Sequence, residues 1–332
     1  MCRHLAYLGP AEPLGRLLVE PAHSLFRQSW APRRQRYGTV NADGFGVGWY
    51  AEEDPVPARY RRAVPIWGDQ SFADLARVVR TTALLAAVRD ATVAGADGEA
   101  AAAPFAAGPW LFSHNGAVAG WPDSLAPLAC SLPPTELLSL EARCDSALVW
   151  ALVLNRLRGG DEEGQALADT VLEVAAAAPG SRLNLLLTSG ETIAATAWGD
   201  TLWYLAEPGR RTVVASEPYD DDPHWQEVPD RTLLAASRTD VLLTPLKDPR
   251  EQGARRNTVN RTPTWHPHHR RSPVREPVPS HPHPARGHHG RGPARRRPAR
   301  PRRPPGRRPR STWGDRQAQD ASAEVVLRRA RQ

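Results

Sequence analysis

The chain predicts an α+β fold, and three observations carry that prediction. Apolar runs of strand character occupy the stretch up to about residue 120, a pair of amphipathic helical segments follows from Asp145, and the apolar period then returns to that of strands separated by short turns. Strands and helices are segregated along the chain, which excludes a doubly wound parallel sheet built from βαβ units.

Residues 2–8 are apolar enough for a buried strand, and "DGFGVGWYAE" (Asp43 to Glu52) has the turn-then-aromatic character of a second. "SFADLARVVR" spaces Phe72, Leu75 and Val79 as a short helix does, with Ser71 as its cap. "ALLAAVRDA" and "PWLFSHNGAVAGW" read as further strands, and the Gly/Ala-rich "TVAGADGEAAAAPF" between them reads as a mobile loop. The helical stripe of "DSALVWALVLNRLRGG" is closed by Gly159, and that of "EEGQALADTVLEVAAAAPG" by Gly180. "RLNLLLTSG", "ETIAATAWG", "DTLWYLAE", "RTVVASEP" and "WQEVPDRTLLAASRTDVLLTPL" then read as an antiparallel meander.

Charge divides the 332 residues unevenly. Residues 251–332 hold 21 Arg, no Lys and five acidic residues, a net of +16; against +7 for the whole chain this leaves −9 for residues 1–250. The basic character therefore belongs to the C-terminal segment, and nucleic-acid binding by the folded part does not follow from it. Beyond Leu246 the apolar period is lost, and the Arg/Pro/His-rich composition of residues 247–332 predicts a disordered tail. Such a tail binds polyanions nonspecifically, and its seven histidines capture metal ions nonspecifically. Its composition is also that of a GC-rich gene read out of frame, which makes it a candidate frameshifted extension. No run of about 18 apolar residues is present and the N-terminus lacks the apolar core of a secretory leader, so a cytoplasmic protein is expected. Cys2, Cys130 and Cys144 are odd in number and lack CxxC spacing, which argues against a disulfide framework and a zinc site. No metal or other cofactor is called for.

The opening "MCRHLAYLG" places Cys2 where removal of Met1 leaves a thiol and a free α-amine on one carbon. The thiolate is the reactive form of cysteine, and a terminal amine with a pKa of about 7.7–8.0 can serve as its base. The alternative is a small buried residue at the start of a strand. In "FSHNGAV", Asn115-Gly116 is a turn signal, or else a pair that offers an amide NH2 and an unobstructed backbone N–H to a developing oxyanion. Arg89, at the end of an apolar strand, is either a bidentate carboxylate clamp or the partner of an acid such as Asp90; Asp145 is either an N-cap or a fixed anion for a substrate amine. Gly44, Gly46 and Gly48 do not make a dinucleotide fingerprint, because the run leads into Trp49-Tyr50 rather than a helix; close strand packing beside a cleft accounts for them.

In this order, "MCRHLAYLG", "NADGFGVGWY", "AAVRDAT", "LFSHNGAVAGW" and "RCDSAL" resemble the class II glutamine amidotransferase domains of the N-terminal nucleophile hydrolase superfamily, over about residues 2–246. Within that superfamily the opening and the stand-alone architecture are similar to the γ-glutamyl hercynylcysteine S-oxide hydrolases of ergothioneine biosynthesis. The resemblance implies a four-layer αββα fold, with two stacked antiparallel sheets between helices. It implies Cys2 as nucleophile with its α-amine as base, Asn115 and Gly116 as oxyanion hole, Arg89 on the glutamyl α-carboxylate and Asp145 on its α-ammonium. Thr92 is followed by Val93, where ammonia-producing members often carry His or Gly, so no role is assigned to Thr92. The expected activity is hydrolysis of a small-molecule γ-glutamyl amide through a thioester; the alternative is a glutaminase subunit feeding ammonia to a separate synthase. A third reading makes the folded part an inert scaffold for a nucleic-acid-binding tail. Trp30, Trp67, Trp110 and Trp121 are candidates for the border of the cleft, where a quaternary ammonium group would find a cation–π surface.

Overall fold

The computed structural model describes residues 2–38, 40–91 and 98–247. Thr92 and all of the expected tail except Lys247 lie outside the described residues.

Thirteen strands form among the described residues: β1 Arg3–Pro13, β2 Phe45–Trp49, β3 Ala58–Arg62, β4 Arg80–Val88, β5 Phe105–Ala107, β6 Trp110–Ala117, β7 Arg182–Thr188, β8 Ile193–Ala197, β9 Trp203–Glu207, β10 Arg211–Ala215, β11 Gln226–Glu227, β12 Thr232–Ala236 and β13 Val241–Pro245. They assemble into a seven-stranded sheet in the order β11-β9-β10-β1-β4-β2-β3 and a six-stranded sheet in the order β13-β12-β8-β7-β6-β5. Every assigned pairing is antiparallel.

The period of two along each strand separates three apolar layers. On β1, Leu5 and Tyr7 pack with α1 (Leu14–Leu18), α2 (Leu25–Gln28) and α3 (Gln70–Val78), while Ala6 and Leu8 face the other sheet. On β7 the same alternation sends Leu183, Leu185 and Leu187 toward α6 (Asp145–Gly159) and α7 (Glu163–Ala177), and Leu186 between the sheets. The result is helix, sheet, sheet, helix, the four-layer αββα arrangement expected from the resemblance.

Several local expectations are corrected. The cap of α3 is Asp69, whose carboxylate accepts the Ser71 and Phe72 backbone N–H groups; Ser71 lies inside the helix. Gly159 is the last residue of α6, and the left-handed stop is Gly160 at φ 98°. α7 is capped by Ala178, with Gly180 in the turn beyond. Of the loop read as mobile, residues 92–97 lie outside the described residues, and the rest contains a 3-10 turn over Gly98–Ala101 and a cis Ala103-Pro104 peptide. The strands after α7 are not one meander: β7 and β8 join the second sheet, β9 and β10 the first, and β12 and β13 the second again. In stacked sheets most strands are buried on both faces, so their sequence pattern carries no label for the sheet they enter. Short α4 (Ala126–Ala129) and α5 (Pro134–Leu138), and the edge strand β3, have too few periodic positions to show in the sequence.

Candidate active site

Cys2 directly precedes β1, which lies between β10 and β4. The register pairs Arg3 with Val88, so one step further brings Cys2 alongside Arg89 at the end of β4. The backbone N–H of Asp90 donates to the Cys2 sulfur. Burial raises the thiol pKa; that hydrogen bond and the Arg89 charge oppose the rise, and Asp145 adds to it.

The second sheet supplies the facing wall. β5 pairs only with Trp110–Phe112 of β6, so the following residues of β6 have no described strand on that side. A cavity of about 220 Å³ opens at this place. Its lining includes Cys2, Arg89, Gly116, Asp145, His114 and Trp121.

Asp145 is the first residue of α6 and not its cap; the cap is Cys144, without a side-chain hydrogen bond. Its Oδ2 accepts the Val118 backbone N–H at 2.9 Å and its Oδ1 the Ser146 N–H at 2.7 Å, which ties the helix start to the end of β6. The Ser146 hydroxyl also lies 3.3 Å from Oδ1, so the lone pair left for a ligand is on Oδ2. Arg89 Nη1 donates to the Asp43 carbonyl at 3.3 Å. A fixed cation and a fixed anion thus share the cavity with a thiol.

His114 is buried one strand position from Asn115. Its Nε2 lies 2.9 Å from the Arg182 carbonyl, which can only accept, so Nε2 carries the proton. In the neutral ring Nδ1 then accepts from the Ser146 hydroxyl at 3.0 Å. A Cβ on Gly116 would collide with the Arg182 carbonyl oxygen and approach His114 Nε2, so only glycine lets β6 and β7 close at this point. Gly46 is confined in the same way by the Ala103 carbonyl, and Ala103 lines the cavity.

Asn115 is fully buried and does not line the cavity, unlike its neighbours His114 and Gly116. Its Nδ2 is 3.2 Å from Ser216 Oγ and its Oδ1 has no partner among the described residues. Ser216 Oγ also accepts the His4 backbone N–H at 3.1 Å, and His4 Nδ1 lies 3.2 Å from Ser113 Oγ. These groups form a polar knot between the sheets, behind the cavity wall.

Comparison with known proteins identifies the family. Residues 18–212 match the family model for class II glutamine amidotransferases. The chain belongs to the class II glutamine amidotransferases. Over 246 residues it is 44% identical to the gamma-glutamyl-hercynylcysteine sulfoxide hydrolase of Mycolicibacterium smegmatis, covering 74% of this chain and 100% of that protein. It is 43% identical to the Mycobacterium tuberculosis protein of the same name, covering 97% of it. Among solved structures, a glutamine aminotransferase class-II domain protein from Silicibacter pomeroyi superposes with a TM-score of 0.54 at 23% identity, over 74% of this chain and all of that one. The glutamine phosphoribosylpyrophosphate amidotransferase of B. subtilis superposes with a TM-score of 0.51 at 16% identity, over 74% of this chain and 49% of that one. Both likenesses concern the fold.

In this class II amidotransferase fold, four of the five residues singled out from the sequence share one cavity, and the fifth stands behind it. Of the four tryptophans considered, Trp121 lines the cavity. Trp30 and Trp67 pack edge to face in the helical layer over the first sheet, and Trp110 donates to Glu163 on the other helical layer. Sequence reasoning missed His114, Ser146, Arg143 and Cys144 in the lining, and Ser216 behind it. The signal for His114 was present, since on a strand residues 114 and 116 share a face. Ser216 lies 101 residues from Asn115 and carried no signal.

Proposed function

We propose that the chain is an amidohydrolase that cleaves a γ-glutamyl amide, γ-glutamyl hercynylcysteine S-oxide, and releases glutamate in ergothioneine biosynthesis. The observation that carries this reading is the placement of Cys2, Arg89, Asp145 and Gly116 around one cavity, in a chain 44% identical to a hydrolase named for that substrate along that protein's whole length. The acting unit is residues 2–246, in the cytoplasm.

Removal of Met1 frees the Cys2 α-amine. The amine takes the thiol proton as sulfur attacks the γ-carbonyl carbon, and the carbonyl oxygen becomes an oxyanion held by the Gly116 backbone N–H and by the Asn115 NH2 once the amide has turned its nitrogen away from Ser216. Collapse breaks the C–N bond, and the ammonium returns the proton to the leaving nitrogen. Water, relieved of a proton by the same amine, cleaves the thioester to glutamate and regenerates the thiol. Arg89 grips the α-carboxylate and Asp145 the α-ammonium, which fixes the γ-carbonyl over sulfur. The cavity is smaller than the roughly 300–1,000 Å³ of pockets that enclose drug-sized ligands. It suits the glutamyl end, with the acceptor side extending past Trp121.

The test combines intact mass with turnover. Mature protein should lack Met1, and Cys2→Ala should abolish hydrolysis. Turnover of the hercynylcysteine conjugate should exceed that of glutamine; preference for free glutamine would instead establish a glutaminase subunit, and normal turnover by the Cys2→Ala protein would remove the nucleophile assignment.

A further inference from the structure

The polar knot behind the cavity contains an imbalance that points to a role for Ser216. This residue is fully buried just past the end of β10, and its backbone N–H donates to the His4 carbonyl at 3.0 Å. Its Oγ accepts from two donors, the His4 N–H at 3.1 Å and the Asn115 Nδ2 at 3.2 Å. Neither bond uses the hydroxyl's own proton. At the other end of the same amide, Asn115 Oδ1 is buried without a partner among the described residues. A donor proton left idle beside an acceptor left idle is unfavourable for both buried groups, since each has given up water without gaining a hydrogen bond.

The two ends of an amide have the same shape, so a half-turn about the terminal bond leaves the packing unchanged. After it, Ser216 donates its hydroxyl proton to Oδ1 and still accepts from His4. The Asn115 NH2 then occupies the side where Oδ1 now stands unpartnered. In this state the buried orphan is a pair of N–H donors, which an oxyanion can satisfy and a neutral ground-state carbonyl satisfies less well.

We propose that Ser216 is a positioning residue: its hydroxyl, held by the His4 backbone, orients Asn115 so that the amide presents NH2 and not C=O to the oxyanion. The inference rests on the oxyanion reading given under the proposed function. It also links the nucleophile strand to the oxyanion donor, because the group that fixes Ser216 lies two residues after Cys2.

Turnover of γ-glutamyl amide substrate by Ser216→Ala, Asn115→Ala and the double variant tests it, together with the alkylation rate of Cys2 by iodoacetamide. Ser216→Ala should lower kcat about ten- to a hundredfold with KM within twofold, since an amide without a preferred orientation spends much of its time presenting the repulsive oxygen. In the Asn115→Ala background the same change should cost less than twofold, and Cys2 alkylation should match the wild-type rate. Should Ser216→Ala unfold, Ser216→Cys, a weak donor of similar size, should show the same pattern with a smaller loss. The proposal is overturned if Ser216→Ala keeps kcat within twofold, if its loss persists undiminished in the Asn115→Ala background, or if Cys2 alkylation slows in step with turnover; either of the last two results would mean that Ser216 acts through β1. Asn115→Ala with normal kcat would instead overturn the oxyanion reading itself.

Discussion

The layer between the two sheets is built from the same strands along its length, yet its two ends differ in kind. At one end Ala6 and Leu8 of β1, Leu85 of β4 and Leu111 of β6 meet Leu186 and Val214, and the threonines beside them, Thr188 and Thr212, turn their hydroxyls onto the backbone carbonyls of Thr192 and Ser237. At the other end β1 presents His4 and β6 presents Ser113 and Asn115, joined through Ser216, and the cavity opens beside them. Burial is equally complete at both ends; only the chemistry changes. The apolar end holds the sheets together by area removed from water, and the polar end trades some of that area for groups whose directions are fixed. Substitutions four residues apart on β6 should therefore separate stability from turnover.

The largest expected effect is Asn115→Ala, which should lower kcat about 10²–10³-fold, or roughly 3–4 kcal/mol of transition-state stabilisation, with little change in melting temperature. Its mirror is Leu111→Ala on the same strand, which should cost about 2–5 kcal/mol of unfolding free energy and leave kcat near wild type below the melting transition. Urea unfolding and steady-state kinetics on the two variants check both halves. Equal losses of stability and turnover in either variant would erase the distinction between the two ends.

Gly116→Ala lies just beyond the polar end. The added methyl meets a β7 carbonyl rather than a flexible side chain, so the strands must part, at about 1–3 kcal/mol of stability, and the adjoining cavity wall shifts with them. Gly159→Ala is its control, since nothing lies within 4 Å of that Cβ; it should match or slightly exceed wild-type stability. Thermal melts of the pair, with kinetics alongside, should show both quantities falling at Gly116 and neither falling at Gly159.

How much of this was legible in the sequence follows the same division. Segregated strand and helix periods announced the α+β class, and β1, β4 and β6 could be placed because their apolar runs are long. Cys2, Arg89, Asn115, Gly116 and Asp145 could be picked out because each combines reactive or directional chemistry with the end of an apolar run, where a strand gives way to a loop. The sheet membership of β7 to β13 was not legible, because burial on both faces looks alike in either sheet. Ser216 and the hydrogen bond between Ser146 and His114 were not legible either, since they arise from strands and helices that meet only in the folded chain. Asp69 was passed over as a cap in favour of Ser71, two positions away, because both residue types cap helices and the apolar spacing does not decide between them.

The last test probes the polar end through pH. His4 is fully buried, and its pKa falls from an ordinary 6.5 to about 3, first through burial and then through the Arg3 and His114 charges. The unfolded chain takes up a proton on this ring below pH 6.5, and the folded chain does not until about pH 3. The stabilisation from the neutral ring is therefore complete above pH 6.5 and is lost as pH falls through the window down to 3, by roughly 1.4 kcal/mol for each pH unit. Wild type and His4→Asn should differ in how steeply unfolding free energy falls between pH 7 and pH 5, with the variant losing less because it has no ring to protonate. Parallel curves would show that the ring takes its proton without unfolding, and the end of the layer beside Cys2 would then be wetter than its burial implies.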